Sequence, residues 1–451
     1  TGLVCPLDDE GSPFDTPEER RAHVREIFES SSLARAPNDE LEKAWQTQLR
    51  ELTGSFTASQ TTQIDAQITS EDLDKVLSQS KKGTAPGPTG IRYTQWQKCG
   101  ALMRETLLKL FNTIHYTGTY PADFCKGNVF PIPKVPELPC TMENHRPLTM
   151  LETGQKLLHK TLSNRLNTAL TASPVLSPAQ YAFLPGMNIT DPTHLVELVY
   201  EQARKRAPPV PSPTKANSRK PKREQHHTHI AFLDMKKAFD KVEFQVGEEA
   251  LKRLNAPPKL RRLLSNLNVS SRRTASTEDG TTDEWALKTG IPQGCVLSPF
   301  RFAAVMDMLS TWLTHRCNNR ATSGRPIGFR LDTSPVRKKH QPWATATHVL
   351  INHLLYADDI CLVAETHDDL QELVGITSEF LSTIGIELSA NKSLYTTNDV
   401  APRPIYTGGT LTGDGSLLAK WEPDTTSPTL TFKRPDEPIR YLGVHYDLQG
   451  N

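Results

Sequence analysis

The sequence predicts an α+β fold, and three observations favour it. Amphipathic segments with helix-capping residues recur, beginning at residues 16–34 (TPEERRAHVREIFESSSLA), where a threonine and a proline open the helix. Local hairpin patterns lie between such segments, as at residues 272–290, whose turn falls near Asp279 and Gly280. Strands and helices do not alternate regularly, so a parallel sheet built from βαβ units is not expected.

The other elements are predicted from the same signals, taken in chain order. Further helices are predicted at residues 70–83, 103–118, 153–170, 297–317 and 366–388. Strands are predicted at residues 127–136, where prolines cut the strand short, at the start of 227–242, and on both sides of an Asp pair within 349–365. Loops or inserts are predicted at residues 83–91, 204–223, 318–348 and 398–438.

Bulk composition limits the classes of function. The 451 residues predict two or three compact units, and a net charge of +1 gives no general sign of a nucleic-acid partner. Seven scattered cysteines without a CxxC pair indicate free thiols in a reducing compartment. No apolar run is long enough for a bilayer, so no membrane partner is expected. Because the chain opens on Thr1 instead of Met, we expect a fragment of a longer product in preference to the alternative, a processed mature chain.

The segment HLLYADDICLVAE, residues 353–365, places Asp358 and Asp359 side by side in an apolar run. Burial of one unpaired carboxylate costs several kcal/mol, so the pair needs a reason. Three readings are open: an ordinary polar β-turn, a metal site in which a divalent cation offsets the repulsion, or two carboxylates that share a proton. A metal site needs a further ligand, and Asp234 stands at the end of another apolar strand. Mg²⁺ prefers such oxygen ligands, and two ions can clamp an in-line displacement.

Eight blocks in order resemble the reverse transcriptases, most closely those of non-LTR (LINE-like) retrotransposons. The resemblance covers roughly residues 70–445. The blocks are KKGTAPGPTGI, VFPIPKVPELPCTMENHRPLTML, QYAFLPGMNITDPTHLV, AFLDMKKAFDKV, GIPQGCVLSPFRFAAVMDML, LLYADDICLV, GIELSANKS and YLGV. The resemblance implies a right-hand polymerase core with an antiparallel palm sheet backed by helices. It also implies a domain order, which is an N-terminal helical extension (1–69), fingers (70–203), a basic proline-rich insert (204–228), palm (229–397) and a palm–thumb junction with an incomplete thumb (398–451).

The resemblance also implies roles for individual residues. Asp234, Asp358 and Asp359 would hold two Mg²⁺ ions, with Mn²⁺ as a substitute, and Lys392 would donate a proton to the leaving pyrophosphate. The implied nucleotide-binding residues are Lys134 and Arg146, which would cradle the triphosphate, Phe239 as a steric gate against ribonucleotides, and Gln293 and Gly294, which would line the pocket. Taken alone, the residue types at Lys134, Arg146 and Lys392 favour ordinary surface cations. Core packing alone is the alternative explanation for Phe239.

The implied function is RNA-directed DNA synthesis, with an RNA template, a DNA primer and dNTPs as partners. The competing hypotheses are an inert or domesticated remnant that binds RNA, and a terminal transferase that needs no template.

Departures from the family pattern are Ala182 for the usual glycine and residues 187–190 (MNIT) for the usual Arg-Ser-Thr. The proline-rich, acid-free composition of residues 204–223 favours a solvated loop over a nuclear-import signal or a nucleic-acid contact patch. Nuclear residence is expected only from the family's habit of priming on chromosomal DNA.

Overall fold

A computed structural model describes residues 7, 12, 14–30, 54–134, 145–206, 227–319, 326–332, 348–412 and 420–448. Nearly all of the basic proline-rich insert and much of the insert at 318–348 therefore lie outside the described residues. No helix in the described part of the chain has the length and apolar character needed to cross a membrane.

The predicted mixture of helices and strands is confirmed. The helices are α1 (Pro17–Ser30), α2 (Ala58–Asp65), α3 (Ser70–Ser78), α4 (Tyr93–Lys98), α5 (Ala101–Thr117), α6 (Thr153–Ala172), α7 (Thr190–Arg206), α8 (Ala238–Lys241), α9 (Phe244–Arg253), α10 (Pro258–Ser270), α11 (Ser298–Asn319) and α12 (His367–Thr383), with a 3₁₀ turn at Ala122–Cys125. The strands are β1 (Lys126–Pro133), β2 (His145–Leu151), β3 (His229–Leu233), β4 (Arg272–Thr277), β5 (Gly280–Thr281), β6 (Trp285–Ala286), β7 (Phe329–Asp332), β8 (His348–Ile351), β9 (His353–Tyr356), β10 (Asp359–Ala364), β11 (Leu394–Thr397), β12 (Gly409–Thr412), β13 (Lys420–Pro423), β14 (Thr431–Lys433), β15 (Ile439–Tyr441) and β16 (Val444–Tyr446).

The chain divides into two compact units. Unit 1 comprises Thr1–Val175 and Lys237–Val305, and unit 2 comprises Leu176–Lys236 and Met306–Asn451. The boundaries predicted for fingers, palm and thumb stay a prediction.

Unit 1 contains a sheet with the strand order β2-β1-β4-β5, in which β6 also pairs with β4. Strand β1 is antiparallel to β2 and parallel to β4. Helix α1 covers part of this sheet, because Val24 packs in one buried cluster with Val129, Ala275 and Trp285. Burial of these apolar side chains, at about 25 cal/mol per Å² removed from water, holds the helix on the sheet.

The prolines do not cut β1 short as predicted. The strand continues through Pro131 and Pro133, which pair with Pro147 and His145 of β2. The physical reason is that β4 pairs with β1 only as far as Val129. Beyond that point a proline, which lacks an N–H, interrupts no hydrogen bond to β4.

Unit 2 is built on a sheet with the order β14-β11-β3-β10-β9, so β3 lies at its centre. Side chains alternate between the two faces of a strand. On one face, Cys361 of β10 and Phe232 of β3 pack with Val196, Val199 and Tyr200 of α7. The intervening residues of β10 are also buried, and α12 packs against β10 and β3. A sheet covered in this way is a rigid platform for residues at the strand ends.

The stretch predicted as loop-rich, 398–438, contains the β12–β13 hairpin and β14. Trp421 of β13 explains why these short strands are ordered against α12. A Cβ atom on Gly375 of α12 would lie 2.0 Å from the Trp421 ring, and one on Gly409 would lie 2.6 Å from it. Two glycines therefore leave the space that the indole fills, which no local sequence signal indicates.

Candidate active site

Three carboxylates lie at one end of the two central strands of unit 2. Strand β3 ends at Leu233, which pairs with Ile360 of β10. Asp234 and Asp359 are the next residues of these antiparallel strands, so they lie opposite each other, with Cα atoms about 5 Å apart. Asp358 precedes Asp359 in the tight turn between β9 and β10. The fold therefore brings together the three acids that were predicted as metal ligands, although they are far apart in sequence.

In the β9–β10 turn, Tyr356 and Asp359 pair with each other, and only Ala357 and Asp358 lie between them in the chain. Ala357 takes a φ of 56°, in the left-handed region that non-glycine residues seldom adopt. Such a conformation costs of the order of 1–3 kcal/mol and persists only where the surrounding structure imposes it. The fully paired strands on both sides of the turn impose it here, and the turn leaves Asp358 and Asp359 exposed.

The backbone of Asp234 is fixed by the segment that follows α12. Its amide donates to Ser393 Oγ at 3.0 Å, and its carbonyl oxygen accepts from the Ser389 amide at 2.8 Å. Lys392 belongs to this same segment and is exposed. The lysine that was predicted as a proton donor is thus carried by the loop that holds the first aspartate.

The three carboxylates affect one another electrostatically. Asp359 is exposed at the turn, but the protein around its carboxyl group removes part of the hydration, which raises its pKa from 3.8 to about 6. Repulsion from Asp358 and Asp234 adds to the rise. Among the described residues, no three His, Cys, Asp or Glu side chains form a group that could hold a metal as they stand. The donor set nevertheless fits a hard divalent cation, because its oxygens are carboxylates and their repulsion would be relieved by positive charge.

Five other predicted site residues lie in unit 1. Lys134 directly follows β1, and Arg146 pairs with Ile132 in the β1–β2 ladder, so both exposed cations lie at one end of this hairpin. Phe239 is the second residue of the short helix α8 and stacks on Phe302, with ring centroids 4.1 Å apart.

Gln293 and Gly294 lie directly beside β2. The Thr149 amide donates to the Gln293 carbonyl oxygen at 3.0 Å. Gly294 has a φ of 116°, and a Cβ atom there would lie 2.4 Å from the Thr149 carbonyl oxygen. Only glycine permits this close approach. The same segment lines a cleft together with Asp240 and Trp285.

Sequence reasoning missed Asp240 and Ser393. Ser393 accepts a hydrogen bond from the Asp234 amide, and Asp240 lines the same cleft as Gln293. The sequence signal available at Asp240 was an acidic residue near the start of a helix, between the apolar Phe239 and Lys241. That signal is weak, because an acid at the start of a helix is common for reasons of helix stability alone.

A covered sheet with three acidic residues at the ends of its central strands is an arrangement that metal-dependent phosphoryl transfer can use. The family model described as "Reverse transcriptase (RNA-dependent DNA polymerase)" matches residues 132–446. The chain belongs to this family, and its predicted assignment to the reverse transcriptases of non-LTR retrotransposons is confirmed.

Curated relatives carry the names of proteins from transposable or mobile elements. The "Retrovirus-related Pol polyprotein from type-1 retrotransposable element R2" of Nasonia vitripennis is 26% identical over 328 residues, covering 72% of this chain and 26% of that protein. The corresponding type-2 R2DM protein of Drosophila melanogaster is 24% identical, covering 85% of this chain and 30% of its own length. The "RNA-directed DNA polymerase from mobile element jockey" of Drosophila funebris is 23% identical, covering 81% and 36%. The chain thus spans about a third or less of these relatives.

Proposed function

We propose that this chain is the polymerase core of a retrotransposon reverse transcriptase. It adds dNTPs to a DNA 3′-hydroxyl and copies an RNA template. In this proposal the fold is a right hand, with the β3–β10–β9 sheet as the palm and the β1–β2 hairpin in the fingers. The register that sets Asp234 opposite Asp359, with Asp358 beside it, carries the proposal, because polymerisation needs carboxylates gathered at one point.

Asp234, Asp358 and Asp359 would hold two Mg²⁺ ions in this reaction. When bound, these ions neutralise the charge that develops on the attacking and leaving oxygens. The chain's own residues orient the reactants. Arg146 presents a planar fork to phosphate oxygens, and Lys134 adds a point charge.

Two further residues act on the sugar and on the leaving group. The Phe239 ring offers no hydrogen-bond partner to a ribose 2′-hydroxyl, which favours dNTPs. Lys392 supplies a proton to the departing pyrophosphate.

Primer extension with the whole chain tests the proposal. We expect Mg²⁺-dependent incorporation on an RNA template and a loss of at least 100-fold in Asp358→Ala. The matched control is Asp436→Ala, since Asp436 is a half-exposed acid of the same unit, near Arg434. Equal incorporation by Asp358→Ala and the wild type would contradict the role of Asp358 as a metal ligand. RNA binding without extension would instead indicate an inert remnant, and synthesis without template would indicate a terminal transferase.

Nuclear residence belongs to the same proposal, because priming on chromosomal DNA requires access to chromatin. Imaging of a fluorescent fusion of the chain tests it. Retention of the fusion outside the nucleus would oppose this part of the proposal.

A further inference from the structure

A bulge in the main sheet of unit 2 lies directly opposite Asp234. Just past the end of β3, Met235 forms a bridge with Leu388, and within β3 Phe232 pairs with Leu394 of β11. Three chain steps lead from Phe232 to Met235, whereas six lead from Leu388 to Leu394. The second side therefore has three residues more than the ladder needs, and they bulge out. Such bulges re-aim side chains beside active sites.

The turn at residues 389–393 closes this bulge and holds the backbone of Asp234 at two points. The Ser389 amide donates to the Asp234 carbonyl oxygen at 2.8 Å, and the Asp234 amide donates to Ser393 Oγ at 3.0 Å. The turn is itself held by the amides of Lys392 and Ser393, which both donate to the Ser389 carbonyl oxygen. The exposed Lys392 thus lies in the chain between the two residues that fix Asp234.

The two bonds to Asp234 make different demands on the sequence. Every residue except proline has an amide that can donate from position 389, whereas position 393 needs a side chain that can accept. Ser393 is completely buried. An alanine in its place would leave the Asp234 N–H, which is partly buried, without this acceptor.

The bond with the serine hydroxyl matters because Asp234 lies beyond the regular ladders of its strand. The ladder of β3 with β10 ends at the pair Leu233–Ile360, and its ladder with β11 ends at the pair Phe232–Leu394. The hydroxyl therefore takes the place of the main-chain acceptor that a continued strand would supply. Groups that meet around a metal ion must be held to within about 0.5 Å of their working geometry.

We propose that Ser393 is a positioning residue, whose hydroxyl fixes the backbone of Asp234 and thereby raises the affinity of the three carboxylates for a divalent metal ion. This inference rests on the proposed function, in which Asp234 is a metal ligand. Ser393 acts through Asp234 and not by contact with the ion or the nucleotide.

Ser393→Ala removes the hydroxyl, and Ser389→Ala is the matched control. Both serines are buried in the same turn, but Ser389 binds Asp234 through its amide, which alanine keeps. In primer extension with the whole chain, we expect Ser393→Ala to raise the half-saturating Mg²⁺ concentration about fivefold, with the KM for dNTP within about twofold. Ser389→Ala should stay within about twofold of the wild type in both quantities, and so should Ser393→Thr, which keeps a hydroxyl.

A second measurement does not depend on activity. Binding of Mn²⁺ to the whole chain, without primer or nucleotide, is followed by electron paramagnetic resonance. We expect Ser393→Ala to bind Mn²⁺ about fivefold more weakly than the wild type, and Ser389→Ala to bind it as the wild type does. Circular dichroism at the assay temperature is compared first, so that only folded protein is titrated.

The outcomes separate the two proposals. An unchanged Mg²⁺ requirement and an unchanged Mn²⁺ affinity in Ser393→Ala overturn the positioning role. Equal weakening of Mn²⁺ binding in Ser389→Ala, or in Ser393→Thr, also overturns it, because the hydroxyl would then not be the cause. A wild type that extends no primer but binds Mn²⁺ more tightly than Ser393→Ala removes the proposed function while the positioning role stands.

Discussion

Replacement of Asp240 by Asn should stabilise the protein above pH 6. The folded-state pKa of Asp240 is raised from 3.8 to about 6, so ionisation of this group opposes folding. At 1.36 kcal/mol for each pKa unit, the penalty is about 3 kcal/mol. It is fully present above pH 6 and vanishes as the pH falls towards 4, where the carboxyl is protonated in the folded and the unfolded state. Asn resembles the protonated form, so at pH 7.5 the variant should gain up to this amount.

Urea unfolding at pH 7.5 and at pH 4.5, followed by circular dichroism, measures the free energy of unfolding. We expect a higher urea midpoint for Asp240→Asn at pH 7.5 and a much smaller difference at pH 4.5. Asp74→Asn, which removes an exposed acid of unit 1 that pairs with Arg104, serves as the control and should show little change, because exposed ion pairs contribute about 0–1 kcal/mol. A variant that is less stable than the wild type at pH 7.5, or a gain independent of pH, would refute the reasoning.

Two further predictions concern packing and sugar selection. Gly375→Ala should lower the free energy of unfolding by about 1–3 kcal/mol, because the added Cβ would lie 2.0 Å from Trp421. Thermal unfolding measures it, and Gly83→Ala, where nothing lies within 4 Å, is the control. Phe239→Val should raise incorporation of rNTPs relative to dNTPs about tenfold or more, while Phe239→Tyr, which keeps the ring, should not. Primer extension with either nucleotide set reports the ratio.

Each of these predictions has a clear contrary result. If Gly375→Ala and Gly83→Ala unfold at the same temperature, the Trp421 indole does not pack closely on α12. If Phe239→Val and Phe239→Tyr discriminate equally well against rNTPs, the ring serves the core through its stack on Phe302 and is not the steric gate.

Local signals predicted helices α1, α3, α5, α6, α11 and α12, whereas α2, α4, α7, α9 and α10 were not predicted. Pro17 begins α1, and Gly118, with a φ of 76°, ends α5 as its sequence indicates. These signals act within about four residues, so a sequence window contains both partners. The helix predicted over 70–83 ends earlier, at Ser78, and Thr69 caps it.

Pairing between distant segments was beyond such reasoning. The parallel pairing of β1 with β4 and the seating of Trp421 on Gly375 join residues far apart in the chain. The grouping of Asp234 with Asp358 was accessible because both acids interrupt apolar strands, which is a visible conflict. Asp240 shows no such conflict, since its cost arises only when the folded chain buries it.

The central place of β3 affects how the protein is made. Its five buried residues pair on one side with β10 and on the other with β11, and both partners are translated long after it. At about 5–20 residues per second, a ribosome exposes this apolar strand for several seconds or longer before either partner emerges. A nascent chain that stalls before Asp359 would therefore present two open strand edges, which favours aggregation and recruitment of chaperones.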